Sequence, residues 1–182
     1  SFARYVGAKY CVGVGNGTDA LAISLKMLGI KQGDEVITVA NSFIATSEAI
    51  TMTCARVVFV DCDEVTYNID VDKIEEAITE KTKAIVPVHI YGQPAEMDKI
   101  LDIAKKYRLI VVEDAAQAHG AKYKGKFVGS IADFTCFSFQ AIKIIAAPDS
   151  GMLTIKNSHL RDTAKRIRWF GLDRKAKQES LK

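Results

Sequence analysis

LIVVEDAAQAHG, at residues 109–120, carries the clearest signal of fold class in the chain. Its first four residues are apolar without alternation, which predicts a strand buried on both faces. A strand of that kind belongs in a parallel sheet that helices cover on both sides. Glu113 and Asp114 follow directly, so a carboxylate is expected where the strand ends. The sequence on either side should therefore alternate between short strands and helices.

The rest of the chain shows that alternation. Apolar residues at helical spacing predict helices at residues 17–28, 42–53, 71–78, 97–107 and 160–168. β-rich runs predict strands at residues 10–14, 35–40, 56–60, 84–90, 109–112 and 152–155, with a broken β-rich stretch at 127–139. No linker divides the chain, so we expect an α/β fold of one domain: a three-layer α/β/α arrangement with a mostly parallel sheet. Right-handed crossovers then place the strand-to-helix turns at the carboxyl edge of the sheet, where ligands bind in such folds.

The composition is that of an ordinary globular protein. Of the 182 residues, 48% are hydrophobic and 26% are charged, and the formal net charge is +3. That charge does not favour nucleic acid as a partner, and no apolar run has the length of a membrane span. The four cysteines form no CxxC pair and have no histidine at zinc-ligand spacing, so we expect reduced structural thiols and no metal. Reduced thiols indicate the cytoplasm.

GVGNGT, at residues 13–18, joins the first predicted strand to the first predicted helix. Glycines let the backbone turn tightly and approach a ligand, and a helix start offers free N–H groups with a partial positive charge. The loop is therefore a candidate phosphate site, to which Thr18 adds a hydroxyl. A plain tight turn before a capped helix is the alternative. The motif is not a P-loop, because no Gly-Lys-Ser/Thr follows it.

Lys143 lies in the almost wholly apolar run AIKIIAA, residues 141–147. Burial in apolar surroundings disfavours a charged ammonium and lowers the pKa of a lysine. A lysine that forms a Schiff base requires that property. The alternative is a surface lysine whose amino group reaches into water.

Two more candidates stand near strand ends. Asp114 would place a carboxylate beside the ring nitrogen of a pyridine cofactor, because a protonated ring is the better electron sink. Phe43 would stack on a flat ring. Alone, Asp114 fits a helix cap or a salt bridge equally well, and Phe43 fits the core equally well. Together with the phosphate site and the lysine, they supply what one flat, phosphorylated aldehyde, pyridoxal 5′-phosphate (PLP), needs.

At these residues the sequence resembles the DegT/DnrJ/EryC1/StrS family of PLP-dependent sugar aminotransferases, over nearly the whole chain. The similar segments are GNGTDAL at 15–21, SFIAT at 42–46, VHIYGQ at 88–93, EDAAQAHG at 113–120 and FSFQAIK at 137–143. The resemblance implies the large domain of a fold type I PLP-dependent transferase that works as a homodimer. It also implies transfer of an amino group from an amino acid, commonly glutamate, to a nucleotide-linked keto-sugar.

The resemblance implies a role for each candidate residue. Lys143 holds PLP and moves a proton between the donor Cα and the cofactor, and Asp114 keeps the ring nitrogen protonated. By the same resemblance, Gly17, Thr18 and Ser138 hold the phosphate. Phe43 stacks on the ring, and Gln117 positions the ring edge. Relatives that are sugar dehydratases carry histidine in place of the lysine, so Lys143 favours a transaminase.

The sequence departs from the family pattern in two segments. Asn16 stands where relatives usually carry Ser, and AAPDSG, at residues 146–151, replaces a Thr-Thr-Gly-Glu/Asp-Gly-Gly-like stretch. The second change alters substrate contacts or the loop shape more than cofactor binding. Family members are also considerably longer. We therefore expect residues 1–182 to form an incomplete PLP-binding large domain, without an N-terminal segment and without the C-terminal small domain that helps close the substrate pocket.

Two alternative functions remain. A non-catalytic fragment or pseudoenzyme of the same fold is favoured by the altered loop after Lys143. A Rossmann-type nucleotide-sugar oxidoreductase or epimerase fits less well, because the glycine spacing is GxGxG. In addition, Asp34 and Glu35 open the next strand, whereas an acid that binds ribose should stand at its end.

Basic and histidine residues outside these motifs carry weaker signals. Basic residues cluster around the last helix: Arg161, Lys165, Arg166 and Arg168. They are either a solvated face or a surface that attracts the substrate diphosphate. His89 and His119 are interpreted as structural residues.

Overall fold

The computed structural model of the protein describes residues 1–173, and a seven-stranded sheet forms the centre of this part. Its strands are β1 (Tyr10–Val14), β2 (Glu35–Val39), β3 (Arg56–Val60), β4 (Thr82–Val86), β5 (Ile110–Asp114), β8 (Phe134–Ser138) and β9 (Gly151–Ile155). Across the sheet they lie in the order β1-β9-β8-β5-β4-β2-β3. Only β9 runs antiparallel to its neighbours, β1 and β8. The predicted mostly parallel sheet is confirmed.

Helices cover both faces of the sheet. On one face lie α2 (Gly17–Met27), α3 (Ile44–Thr51) and α5 (Ser158–Ile167), and on the other lie α1 (Phe2–Val6) and α4 (Met97–Tyr107). Val36 packs in the core under α2 and α3, while the next residue, Ile37, packs in the core under α4. Because successive strand residues point to opposite faces, two covering layers require both to be apolar. The three-layer prediction is confirmed.

The helix predicted at residues 71–78 is wrong. The chain there forms two 3₁₀ turns, Val71–Lys73 and Glu75–Ala77. In this segment only Val71 and Ile74 are buried apolar residues. So small an apolar face gives little packing energy for a regular α-helix, whose stability in proteins comes mainly from such packing.

The strand predicted at residues 84–90 ends early, at Val86. Pro87 follows, and proline has no backbone N–H to continue a ladder. The Pro87 carbonyl instead accepts a hydrogen bond from the Asp114 N–H at 2.9 Å. A 3₁₀ turn at Ile90–Gly92 follows at the same edge of the sheet.

The β-rich stretch at residues 127–139 divides into two elements. Its beginning pairs in a short hairpin of β6 (Lys122–Tyr123) and β7 (Lys126–Phe127), and its end is β8. Among the described residues, no helix combines the length and the apolar character that crossing a membrane would require.

Glu35 lies at the edge of the sheet opposite to the candidate site. It begins β2 and is buried. Its carboxylate accepts a hydrogen bond from the Thr79 hydroxyl at 2.6 Å and forms an ion pair with Arg56 at 3.4 Å. A ribose-binding acid would stand at the carboxyl end of its strand. In addition, β1 is an edge strand of the sheet. Both observations speak against the Rossmann alternative.

Candidate active site

The sequence-predicted site residues converge on the carboxyl edge of the sheet. Asp114 ends β5 and Ser138 ends β8, and these two strands are parallel neighbours. Gly17 begins α2 after β1, and Phe43 is the N-cap of α3 after β2. Parallel strands bring their carboxyl ends to one edge, so segments distant in sequence face the same space.

The glycine loop and Ser138 are in contact. A Cβ atom on Gly17 would lie 2.7 Å from the Ser138 Cβ and 3.2 Å from its hydroxyl oxygen. Only glycine allows this approach, which brings the start of α2 against the end of β8. Thr18 is the second residue of α2 and is half-buried. A helix N-terminus beside a buried hydroxyl is a suitable place for a phosphate.

Asn16 caps α2. Its side-chain oxygen accepts a hydrogen bond from the Asp19 N–H at 2.7 Å. Asn and Ser are among the best N-cap residues and satisfy the same backbone donors. Asn16 in place of the usual Ser therefore preserves the local structure of the loop.

Asp114 is a buried carboxylate with hydrogen bonds to both oxygens. Its Oδ2 accepts from the Thr46 hydroxyl at 2.8 Å, and its Oδ1 accepts from the Ala116 N–H at 3.1 Å. Burial raises the pKa of Asp114, although these hydrogen bonds and the nearby charge of Lys143 oppose the rise. A cationic ligand group beside it would offset the cost of burying the charge.

Gln117 is positioned by the segment at residues 88–93. Its side-chain oxygen accepts a hydrogen bond from the Tyr91 N–H at 2.8 Å. Tyr91 has a φ of 53°, in the left-handed region, and is 81% exposed. The IYG motif thus contributes an aromatic side chain to the site edge. We did not predict a role for Tyr91, and the only sequence signal was its place in the VHIYGQ segment.

A buried pair, His89 and Glu113, lies behind the site. The His89 Nδ1 accepts from the Ala95 N–H at 3.1 Å, which places the imidazole proton on Nε2. That Nε2 lies 2.9 Å from the Glu113 carboxylate, so it donates to it. Glu113 also accepts hydrogen bonds from Ala132 and Thr135. The prediction of a structural His89 is confirmed, and the pair ties the end of β5 to the following segments.

Lys143 lies on a loop beyond the end of β8, and the expectation of an apolar enclosure around it is wrong in this chain. Lys143 is half-buried, and its backbone N–H donates to the Gln140 carbonyl at 2.8 Å. The neighbouring isoleucines face solvent: Ile142 is 83% exposed, Ile144 71% and Ile145 42%. The loop projects past the sheet edge, where none of the described helices covers it.

Phe43 is not a core residue. Its side chain is 69% exposed at the start of α3, so the core alternative is wrong. An exposed aromatic ring at the edge where ligands bind is available for stacking on a flat group.

His119 lies in an aromatic cluster on the α1 face. It is 8% exposed, and its ring centroid is 5.5 Å from that of Phe137 and 5.0 Å from that of Phe139. Burial lowers the pKa of His119, as does the charge of Lys143, while the Ser138 backbone opposes the shift. No described residue is in hydrogen-bond geometry with either ring nitrogen. His119 is thus a buried member of this cluster, and its structural role stays a prediction.

The basic residues near α5 are largely engaged within the chain. Three of them lie within ion-pair distance of acidic residues, namely Arg161 and Lys165 with Asp162, and Arg166 with Asp173. Arg168 donates from Nη1 to the Gly13 carbonyl at 2.5 Å. Arg168 therefore links the end of α5 to the strand that leads into the glycine loop, which favours a structural role.

All four cysteines are free thiols, and burial raises the pKa of Cys11 to about 12. Within residues 1–173, no three His, Cys, Asp or Glu side chains are grouped so that they could hold a metal ion.

The residues at this edge fit a flat, phosphorylated pyridine. Because Gly17 has no Cβ, the start of α2 packs closely against Ser138, which brings the first N–H groups of the helix and the Ser138 hydroxyl to the same place, as a phosphate requires. Asp114 uses one acceptor position on each oxygen and keeps others for a ring N–H. Phe43 offers an exposed ring face.

The chain is similar to sugar aminotransferases. The sequence profile of the DegT/DnrJ/EryC1/StrS aminotransferase family matches residues 1–182. A dTDP-3-amino-3,6-dideoxy-alpha-D-galactopyranose transaminase from Aneurinibacillus thermoaerophilus is 49% identical over 175 residues, 96% of this chain and 48% of the relative. The chain spans about half the length of the curated relatives that it matches.

Solved structures agree with this similarity. DesV from S. venezuelae, solved in complex with a ketimine intermediate, superposes with a TM-score of 0.93 at 39% identity, over 96% of this chain and 47% of DesV. NtdA from Bacillus subtilis, solved with bound cofactor PMP, superposes with a TM-score of 0.85 at 40% identity, over 91% of this chain and 37% of NtdA.

Proposed function

The chain belongs to the DegT/DnrJ/EryC1/StrS aminotransferase family, and from this membership we propose that it is the PLP-binding large domain of a sugar aminotransferase. The whole protein would move an amino group from an amino acid to a nucleotide-linked keto-sugar. One observation carries the proposal: Gly17, Asp114 and Ser138 come from three separate segments and meet at one sheet edge. In our proposal the domain comprises residues 1–182, of which the last nine, residues 174–182, lie outside the described part.

PLP, when bound, supplies the electron sink that stabilises negative charge at the donor Cα. The start of α2, with Gly17 and Thr18, and the Ser138 hydroxyl would hold its phosphate. Asp114 would accept a hydrogen bond from the protonated ring nitrogen, Phe43 would stack on the ring, and Gln117 would position the ring edge.

Lys143 is the proposed catalytic base and the point of covalent attachment. With the cofactor present, its amino group would be the point of attachment. As a free amine it would be the group on this chain that accepts and returns a proton at the donor Cα. The positive charge of Lys143 lowers the pKa of Asp114, although less than the Thr46 and Ala116 hydrogen bonds do.

The substrate class follows from relatives. The A. thermoaerophilus relative is named for a dTDP-linked amino sugar, and other curated relatives are named for GDP- or UDP-linked sugars. We propose a nucleotide-linked keto-sugar as acceptor and glutamate as donor. We also propose a homodimer that works in the cytoplasm; the exposed thiol of Cys54 agrees with a reducing compartment.

The second candidate is a non-catalytic protein of the same fold. The loop at residues 146–151 departs from the family pattern, and the three isoleucines around Lys143 face solvent. A protein of this kind would keep the phosphate site and Asp114 but would not hold PLP on Lys143.

Borohydride reduction of the full-length protein incubated with PLP, followed by peptide mass mapping, separates the two candidates. Reduction fixes a PLP–lysine bond permanently. A phosphopyridoxyl group on Lys143, absent in Lys143→Ala, is the expected result.

The other outcomes are equally informative. A label spread over surface lysines, or found on a different lysine, would make the site assignment wrong. Absence of any label on the full-length protein would favour the non-catalytic candidate.

A further inference from the structure

Thr46 lies in the first turn of α3 and contacts the proposed cofactor carboxylate. Its side chain is buried, at 2% exposed, although it is polar. The Thr46 hydroxyl lies 2.8 Å from Asp114 Oδ2 and 2.8 Å from the Ser42 hydroxyl. A buried hydroxyl with two polar partners connects α3 to the end of β5.

The chemistry of the groups sets the direction of these hydrogen bonds. An ionised carboxylate only accepts, so Thr46 donates its single proton to Asp114. The Thr46 oxygen is then left to accept from Ser42, whose single proton is shared between Thr46 at 2.8 Å and the Phe43 carbonyl at 3.3 Å. The result is a directed chain from Ser42 through Thr46 to Asp114.

The same turn carries Phe43. Phe43 is the N-cap of α3, and the Ser42 hydroxyl also lies 3.3 Å from the Phe43 carbonyl. The element that would stack on the cofactor face is therefore bonded to the carboxylate that would bind the ring nitrogen. A shift of α3 would move both contacts together.

We propose that Thr46 is a positioning residue of the cofactor site: its hydroxyl fixes the orientation of the Asp114 carboxylate and couples it to the Phe43 turn. This inference rests on the proposed PLP site. Oδ2 keeps a further acceptor position for a ring N–H, and the Ala116 N–H fixes Oδ1 from the other side.

The electrostatics of the site support this role. Burial raises the pKa of Asp114, and the Thr46 hydrogen bond is the largest of the effects that oppose the rise. A hydrogen bond to an ionised group is stronger than one between neutral groups. Without it, the carboxyl would hold its proton to higher pH and would bind a protonated ring less well.

The test uses the full-length protein with two variants. Thr46→Val removes the hydroxyl and keeps the shape, while Thr46→Ser keeps the hydroxyl. The first readout needs no cofactor: the carboxyl pKa of Asp114 in PLP-free protein, followed by ¹³C NMR of labelled aspartate and assigned with Asp114→Asn. We expect a higher pKa in Thr46→Val and a wild-type value in Thr46→Ser.

The second readout is the dissociation constant of PLP, measured by equilibrium titration. We expect it to rise about tenfold in Thr46→Val, the factor for losing one hydrogen bond to a charged group. Thr46→Ser should recover most of this affinity. If Thr46→Val does not fold, Ser42→Ala, which removes the donor to Thr46, should raise both quantities in the same direction by a smaller factor.

Two results would overturn the inference. One is an unchanged Asp114 titration in the hydroxyl-free variant; the other is an equal loss in Thr46→Ser and Thr46→Val, which would indicate packing alone. Failure of the proposed function is distinguishable, because wild-type protein would then form no adduct on Lys143 while the Asp114 titration would still report on Thr46.

Discussion

Two regions of the site differ in how the fold holds them. The proposed cofactor floor consists of Gly17, Asp114, Gln117 and Ser138, which lie at a helix start, at two strand ends and in the turn after β5, and make hydrogen bonds or close contacts. The lysine loop, residues 141–150, is mostly exposed and includes three exposed isoleucines. The floor is thus built by the sheet, whereas the loop is held by few contacts.

Because the floor is fixed by the sheet and the loop is exposed, the two regions support different parts of the proposed reaction. Binding of the cofactor needs a fixed array of donors and acceptors, and the floor provides one within this chain. Covalent attachment needs an amino group that can approach and leave, and the lysine loop carries it. The apolar residues of the loop remain uncovered by the described helices, so a cover for them would have to come from outside residues 1–173.

The largest expected effect separates the loop from the floor. Lys143→Ala should abolish the borohydride-stable adduct and lower transaminase turnover about 10²–10⁴-fold, because the proton transfers lose their base. PLP should still bind without a covalent bond, since the floor is unchanged. Turnover assays and equilibrium dialysis of PLP would check both parts, and a complete loss of PLP binding would break the comparison.

The next effect concerns the floor alone. Gly17→Ala places a Cβ 2.7 Å from the Ser138 Cβ. Overpacking of this kind costs about 1–3 kcal/mol, so we expect lower stability and weaker PLP binding. Chemical denaturation and PLP titration measure these changes.

Gly13→Ala, in β1 just before the loop, is the matched control, because its Cβ would have its nearest contact at 3.9 Å, from Arg168. This variant should bind PLP like the wild type. Equal losses in both variants would mean that the contact with Ser138 is not what limits the site.

A smaller effect is expected from His119, through the pH dependence of the free energy of unfolding. Burial lowers the pKa of His119 below its ordinary 6.5, so the unfolded chain binds the proton more readily. The free energy of unfolding of the wild type should therefore fall as the pH drops below about 6.5. His119→Phe keeps an aromatic ring and removes this dependence.

Urea denaturation of the PLP-free protein at several pH values would measure the difference between wild type and His119→Phe. The difference should be small at neutral pH and should grow in favour of the variant as the pH falls. Parallel pH dependence of the two proteins would show that His119 is not buried as an uncharged ring.

The smallest effect is expected in the lysine loop. Ile144→Ser should change the free energy of unfolding of the 182-residue chain by less than about 0.5 kcal/mol, because the side chain already faces solvent. Ile85→Ala, at a fully buried strand position, should cost about 2–5 kcal/mol in the same denaturation experiment. Similar losses in the two variants would mean that the loop is packed and that the comparison is wrong.

Sequence reasoning succeeded where the signal is local. The continuous apolar run before Asp114 indicated a strand buried on both faces, and β5 is that strand. It failed at residues 71–78, where the apolar spacing was helical but too few side chains are buried to sustain an α-helix. It also missed the early end of β4, although Pro87 was visible.

Residue patterns were enough to predict the alternation of strands and helices and the glycine motif before α2, because periodicity and turn chemistry are local properties of the chain. The folded sheet was needed to show that Gly17 lies against Ser138 and that Thr46 donates to Asp114. It also decided that the isoleucines around Lys143 are exposed. The physical reason is that contact and burial depend on which distant segments the sheet brings to one edge, and an apolar run is buried only where another layer covers it.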